Sequence, residues 1–277
     1  MINKFSSFDR LENVKKNSRY GEGGLRIEKE IIKSPIFTII TVVLNSEKYL
    51  EETINSVLNQ KFQDFEYILI DGGSTDNSLN IIKKYSNKID YWVCEKDLGI
   101  YDAFNKGMTL ARGNFIGIIN SDDRYFPNSL EIISKYISNK SNFDFIFGSV
   151  KKHWGVLHGY KPHKIFYSWG FYTSHSTGFF IKTESAKKIG FYNLKYKYHA
   201  DYDYFYRMIV KNKMLGIATA KDEIIGEFRR GGFSSTISFW KLFKEEILIR
   251  YDNGQNLILI LMIFIYKFIF HFKKIFI

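Results

Sequence analysis

Residues 36–60, IFTIITVVLNSEKYLEETINSVLNQ, change their hydrophobic period part-way along. Ile36 to Leu44 form an unbroken apolar, β-branched run, which is how a strand covered on both faces reads, as in a parallel sheet. Asn45 and Ser46 interrupt it, and Leu50, Ile54, Val57 and Leu58 then recur at helical spacing as far as Gln60. The stretch reads strand, turn, helix.

The unit recurs. FEYILI (65–70) runs into Asp71, GGSTDNS (72–78) turns, and Leu79, Ile82 and Tyr85 mark a helix that Asp76 is placed to cap. IDYWVCE (89–95) is a shorter strand, followed by KDLG and a helix near Tyr101 to Ala111. NFIGII (114–119) is the next strand, Pro127 sits where the first turn of a helix tolerates it, and FDFIFGSV (143–150) is another strand. This alternation predicts an α/β protein with right-handed crossovers and a mainly parallel central sheet flanked by helices. In such sheets ligands bind beyond the carboxyl ends of the strands, and the turns there hold Asn45, Asp71 and the pair Asp122-Asp123.

At 277 residues the chain suits one large domain with appendages. We expect a polar, glycine-containing arm over 1–34, a domain over 35–235 and a helical tail over 236–277. The domain divides into two halves, 35–125 and 126–235. With 45% hydrophobic and 18% aromatic residues, the composition excludes a disordered chain. The single cysteine, Cys94, excludes an internal disulfide and a cysteine-based zinc site, and the first residues lack the apolar core of a signal peptide, so a cytoplasmic setting is expected. The formal charge of +11 calls for an acidic partner or a solvated basic face, and residues 151–197 concentrate it in lysines against the lone Glu184.

FIGIINSDDRYF (115–126) ends a buried strand in two adjacent carboxylates. Mutual repulsion raises both unless a cation intervenes. Asn, Ser and Asp are also ordinary turn formers, but after a buried strand these hard oxygen ligands suit Mg²⁺ or Mn²⁺ shared with phosphate oxygens. Asp71, before two glycines, could accept a ring N–H from a planar base or could simply cap the turn.

Three segments together carry a resemblance: residues 37–78, FTIITVVLNSEKYLEETINSVLNQKFQDFEYILIDGGSTDNS; residues 97–123, DLGIYDAFNKGMTLARGNFIGIINSDD; and residues 200–208, ADYDYFYRM. In this order they resemble glycosyltransferase family 2, the inverting nucleotide-sugar enzymes of the glycosyltransferase A fold, and most of all its bacterial surface-polysaccharide branch. The likeness spans roughly residues 36–235 and implies that 35–125 is a nucleotide-binding half and 126–235 an acceptor half. It implies that Val42 and Asn45 line the nucleotide pocket with Asp122, that Asp71 meets the base, and that Asp122 and Asp123 hold a Mn²⁺ or Mg²⁺ ion, Asp123 more directly. It also implies that Asp201 is the catalytic base, although Ala200 stands where a Glu is common. Many members carry a second acidic residue where this chain has Gly72, which leaves the base contact to Asp71.

Asp203 is the second candidate base. Residues two apart on a helix point to nearly opposite sides, so one of Asp201 and Asp203 is expected in the pocket. The resemblance makes His175, in YTSHSTGFFIK, an acceptor-side or phosphate-side group. Asp102 and Asn105, three apart in GIYDAFNKG, share a helical face turned toward the donor sugar or used in packing. Arg229 and Arg230 in EFRRGGFSS suit a loop closing over a diphosphate, or a solvated basic loop.

The tail LILILMIFIYKFIFHFKKIFI (257–277) runs ten residues without charge before Lys267. That is short of the ~20 apolar residues a spanning helix needs, so an interfacial helix with lysines near anionic headgroups is expected, with packing on the domain as the alternative. The implied function is transfer of a sugar from a nucleotide-diphosphate donor to a hydroxyl of a glycan or lipid-linked acceptor, at the membrane surface and without nucleic acid. Two other classes compete. A nucleotidyltransferase needs a Gly- and basic-rich triphosphate loop that TVVLNSEKYL does not offer, and a basic nucleic-acid-binding module would have no use for the acidic pair.

Overall fold

The computed structural model describes residues 19–28, 34–140, 142–167, 176–229 and 237–270. Along the chain the elements are β1 (Arg19–Gly23), α1 (Leu25–Glu28), β2 (Phe37–Val43), α2 (Leu50–Leu58), β3 (Phe65–Asp71), α3 (Ser78–Lys84), β4 (Tyr91–Glu95), α4 (Ile100–Leu110) and β5 (Phe115–Asn120). There follow β6 (Arg124–Tyr125), α5 (Ser129–Asn139), β7 (Phe145–Phe147), β8 (Ser149–Lys152), β9 (Gly155–Leu157), α6 (Pro162–Tyr167), β10 (Phe179–Lys182) and α7 (Thr183–Ile189). Last come α8 (Ala200–Phe205), which widens into a π-helical turn over Tyr206–Lys211, then β11 (Gly216–Ala218), β12 (Ile224–Glu227), α9 (Phe239–Asp252) and α10 (Leu257–Phe270).

Eight strands form the main sheet in the order β1-β4-β3-β2-β5-β10-β7-β11. The inner four, β4, β3, β2 and β5, are parallel, whereas β1 and β10 run antiparallel to their neighbours, so the sheet is mixed. Its order decides where a ligand goes. The chain moves outward from β2 through β3 to β4, and α4 then carries it back to β5 on the other side of β2. The crevice of such a sheet lies at that reversal, outside the carboxyl ends of β2 and β5.

Both faces of the sheet are covered, and the strands alternate accordingly. Ile40 and Val42 of β2 face the cluster built with Phe104, Met108, Phe147 and Phe205, while Phe37, Ile39 and Val43 face Leu50, Ile54 and Val57 of α2 and Leu130 and Ile133 of α5. The three α2 side chains are fully buried, each worth roughly 1.5–3 kcal/mol relative to exposure. Helix α4 sits closest to the sheet: a Cβ on Gly107 would lie 2.4 Å from Cγ2 of Ile40.

A second sheet, β6-β12-β8-β9, stands beside the first. Pairing of β12 with β6 places Glu227 opposite Arg124 and carries the next residues, Phe228 and Arg229, over the end of β5. Part of the expected N-terminal arm belongs to the main sheet, since β1 pairs with β4 from Arg19 opposite Glu95 to Gly23 opposite Trp92. In the tail, α9 packs on α8 and the loop before it, and α10 folds back on α9 through Ile260, Ile263, the stacked rings of Phe264 and Phe243, and an ion pair between Lys267 and Glu246.

Candidate active site

The parallel ladders align the polar residues along one edge. Val43 is opposite Asp71, Asp71 is opposite Cys94, and Val42 is opposite Asn120, so the turns after β2, β3, β4 and β5 leave the sheet at one level. Across the reversal, the Ser46 and Ser121 hydroxyls meet at 2.7 Å, and the Thr53 hydroxyl of α2 donates to the carbonyls of Ser121 (2.9 Å) and Asp123 (2.6 Å). The acidic turn is thereby locked to the helix after β2.

Asp123 is buried, with both carboxylate oxygens engaged. Oδ2 accepts from the Thr177 hydroxyl at 2.6 Å and Oδ1 from the Arg229 backbone N–H at 3.0 Å. Burial, and next the Asp122 carboxylate, push this acid up to about 8 against those two donors and the Lys152 charge. Asp122 is half-buried and is also raised, by burial, with the Arg229 charge opposing. Arg229 lies 4.5 Å from the Tyr49 ring and pairs with Glu52, while its Nη1 is buried without an acceptor.

Asn45 adopts a left-handed conformation (φ 50°), which an Asn tolerates better than most residues. Its Oδ1 accepts from the Thr75 N–H at 2.8 Å, and its own N–H donates to the Ser74 hydroxyl at 2.9 Å, tying the turn after β2 to the turn after β3. Asp71 is fully buried, and Oδ1 accepts from the Gly73 N–H (3.1 Å), the Ser74 N–H (2.8 Å) and the Ser74 hydroxyl (2.8 Å). Its Oδ2 is buried with no nitrogen or oxygen donor, beside the Cys94 thiol, which burial first and this carboxylate second push up to about 12. Among the described residues six buried polar side-chain atoms lack a partner, and three of them, on Asp71, Asn120 and Arg229, belong to this edge. Such a concentration marks a surface that a polar ligand completes.

The two candidate bases separate cleanly. Asp203 is buried, with Oδ2 held by Arg207 at 2.8 Å and Oδ1 by Asn253 of α9 at 2.9 Å. Asp201 is half-buried; Oδ1 accepts from the Tyr101 hydroxyl at 3.0 Å and the Tyr202 N–H at 2.9 Å, and Oδ2 has no partner among the described residues. Burial, then the Asp201 charge, hold the Tyr101 phenol well above its ordinary range, so it stays a donor. Glu245 of α9 accepts three consecutive backbone N–H groups, of Lys197, Tyr198 and His199, at 2.7, 2.8 and 2.9 Å, which fixes the chain that presents Asp201.

Asn105 is turned away from the edge, with its amide closed on both backbone groups of Tyr192 at 2.9 and 2.8 Å. Asp102 accepts from the Leu98 N–H at 3.1 Å and lies 3.5 Å from Lys106. His175 and Arg230 lie outside the described residues. Thr177, Tyr49, Glu52 and Lys152 join the site without a sequence signal, because they reach it from the antiparallel β10, from α2 and its preceding turn, and from the second sheet.

The acidic pair fits a divalent cation. Two hard carboxylates, both raised by burial and Asp123 also by Asp122, are the donors that a cation would keep ionised. Among the described residues no three His, Cys, Asp or Glu side chains converge on one point, so a cation here would be held by Asp122 and Asp123 and would need substrate phosphates to complete its shell.

A family model for glycosyl transferase family 2 matches residues 38–205, more than half of the chain. The chain belongs to glycosyl transferase family 2. Among relatives of this glycosyltransferase, an uncharacterized glycosyltransferase of Methanocaldococcus jannaschii is 30% identical over 226 residues, covering 76% of this chain and 77% of that protein. A PGL/p-HBAD biosynthesis glycosyltransferase of Mycobacterium bovis is 27% identical over 256 residues, covering 83% and 90%. Among solved structures, S. aureus TarS 1-349 in complex with UDP-GlcNAc superposes with a TM-score of 0.64 at 21% identity, over 78% of this chain and 66% of that one. The mannosyltransferase PcManGT of Pyrobaculum calidifontis, in complex with GDP-Man and Mn²⁺, gives 0.57 at 14% identity, over 80% and 64%. The glycosyltransferase therefore shares the TarS fold, the glycosyltransferase A fold, and spans about two thirds of each of these two solved chains. Family membership answers the choice left open by sequence among transferase, nucleotidyltransferase and nucleic-acid-binding module.

Proposed function

We propose that this glycosyltransferase moves a sugar, with inversion, from a nucleoside-diphosphate donor to a hydroxyl of a lipid-linked glycan in cell-surface polysaccharide synthesis. The observation that carries the reading is the placement of Asp122 and Asp123 at the reversal of the sheet, beside the orphaned guanidinium nitrogen of Arg229. The nucleoside lies along the turns that follow Val42 and contain Asn45 and Asp71. The diphosphate lies against Asp122, Asp123 and Arg229, where a bound Mn²⁺ or Mg²⁺ would offset the charge of the leaving group. Asp201 is the base: its free Oδ2 takes the proton as the acceptor oxygen attacks the anomeric carbon and the bond to the diphosphate breaks. Asp203, tied to Arg207 and Asn253, is a structural residue in this scheme. The apolar outer face of α10 supports an acceptor presented at a membrane surface.

The test is a thermal-shift series with UDP, GDP, CDP and ADP, each with Mn²⁺ and with chelator. Metal-dependent stabilisation by one base class is expected, and stabilisation by none would end the reading. Asp201→Asn should reduce transfer by about 10²- to 10⁴-fold with nucleotide affinity unchanged; full turnover would remove the base assignment.

A further inference from the structure

Gly72 follows Asp71 in the turn after β3, and its missing side chain has a specific neighbour. A Cβ built on Gly72 would lie 2.2 Å from Oδ2 and 2.8 Å from the carboxyl carbon of Asp97. The carboxyl group over the turn after β3 is thus delivered by the next strand. Asp97 comes two residues after β4, and its Oδ1 is anchored by the Gly99 N–H at 2.9 Å. Its Oδ2 has no partner among the described residues, and the side chain is half-buried rather than sealed. Asp71 is the opposite case: fully buried, with three bonds to Oδ1 that hold the Gly-Gly-Ser turn. Across the same turn stands Tyr20 of β1, 65% exposed, its ring carbon 3.2 Å from where a Cβ on Gly73 would be. The turn is flanked by an accessible anionic acceptor and an exposed aromatic face, with the orphaned Asp71 Oδ2 buried behind it.

We propose that Asp97, not Asp71, is the carboxylate that reads the donor's base, accepting the ring N–H of a uracil, thymine or guanine. The inference rests on the nucleoside-diphosphate donor reading and names the residue that makes it base-selective. Adenine and cytosine present a ring nitrogen lone pair at the corresponding position, which an anionic acceptor repels, so the site discriminates by charge and not by size. Asp71 serves as the positioning residue beneath: it shapes the turn so that Gly72 leaves room for Asp97. The charge-assisted hydrogen bond to the base exists only with nucleotide bound, whereas without it Asp97 holds the Gly99 N–H, so loss of Asp97 shows in selectivity before it shows in folding.

Calorimetric titration of the full chain with UDP, dTDP, GDP, CDP and ADP in the presence of Mn²⁺ decides it. The wild type is expected to bind at least one of UDP, dTDP and GDP at least about tenfold more tightly than CDP and ADP, the weight of one charge-assisted hydrogen bond. Asp97→Ala should weaken that nucleotide about tenfold or more and flatten the preference. Asp97→Asn, which keeps an acceptor for the Gly99 N–H, should lose the preference likewise and decides the matter if the alanine variant does not fold. Moving the carboxyl across the strands, in the double variant Gly72→Asp with Asp97→Gly, should restore it. Binding of no nucleotide by the wild type overturns the donor reading and this inference together. Wild-type binding with selectivity unchanged in Asp97→Ala or Asp97→Asn overturns this inference alone, as does equal binding of CDP and UDP by the wild type.

Discussion

Asp123 carries a conflict within a single side chain. It is buried, it receives two hydrogen bonds that favour its anion, and it is nevertheless pushed up to about 8 by burial and by Asp122. The sign of its effect on stability follows. A carboxyl that titrates near its ordinary 3.8 in the unfolded chain and near 8 in the folded one contributes fully below the lower value and loses that contribution as pH rises through the upper one. Metal-free protein should therefore lose thermal stability steadily between about pH 4 and pH 8. Asp123→Asn should flatten that loss, because the amide cannot ionise, while reducing transfer severely; the thermal midpoint of chelated wild type and variant across this range checks both signs. The pair itself was legible in sequence because a buried strand seldom ends in two acids. Thr177 and the Arg229 N–H were not, since the one arrives from the turn before β10 and the other from the end of β12, and a donor that only the folded chain brings to Asp123 leaves no local pattern.

At the scale of elements, the parallel core was readable for a physical reason: strands covered on both faces must be mostly apolar, and β2, β3 and β5 are, with the buried Glu66 of β3 paired to Arg26. The edge strand β1, RYGEG, pairs on one side only and has alternate residues in contact with solvent, so its polar sequence read as an arm. The strands of the second sheet are two to four residues long and too short to show a period. For Asp201 and Asp203 the helical rule that only one could face the pocket was sound, but which one depended on Arg207 and on Asn253 from distant α9. Gly107 presents the converse lesson. A glycine inside a helix costs roughly 1 kcal/mol relative to alanine, yet here it lets α4 lie against Ile40, whose Cγ2 would be only 2.4 Å from an added Cβ. Gly107→Ala, stabilising in an isolated helix, should destabilise this protein by about 1–3 kcal/mol through overpacking. Chemical denaturation would show a lowered midpoint with unchanged slope, and a raised midpoint would contradict the packing.

The whole molecule joins the loop that presents Asp201 to the exposed apolar face of α10. Helix α9 grips the loop before Asp201 through Glu245 and carries α10 on its other side. On α10, Leu257, Ile258, Leu261, Met262, Ile265 and Ile269 are between 48% and 70% exposed and lie along one face, while Ile260, Ile263 and Lys267 face α9 and its Glu246. No described helix is long and apolar enough to cross a membrane, and we expect this exposed apolar face to rest at a bilayer interface. The formal charge of +11, with lysines in the same tail, favours an anionic bilayer over a second copy of an equally basic chain. Each such side chain that enters the acyl boundary contributes roughly 1.5–3 kcal/mol, so two of them account for at least about a hundredfold in partitioning. The full chain should therefore co-sediment with vesicles containing anionic lipid, less so as salt rises, and Leu261→Glu with Ile265→Glu should abolish sedimentation without altering nucleotide affinity. If the double variant still sediments with vesicles, or if the wild type ignores vesicles and instead forms a dimer that the variant dissolves, the face serves a protein contact and not a membrane.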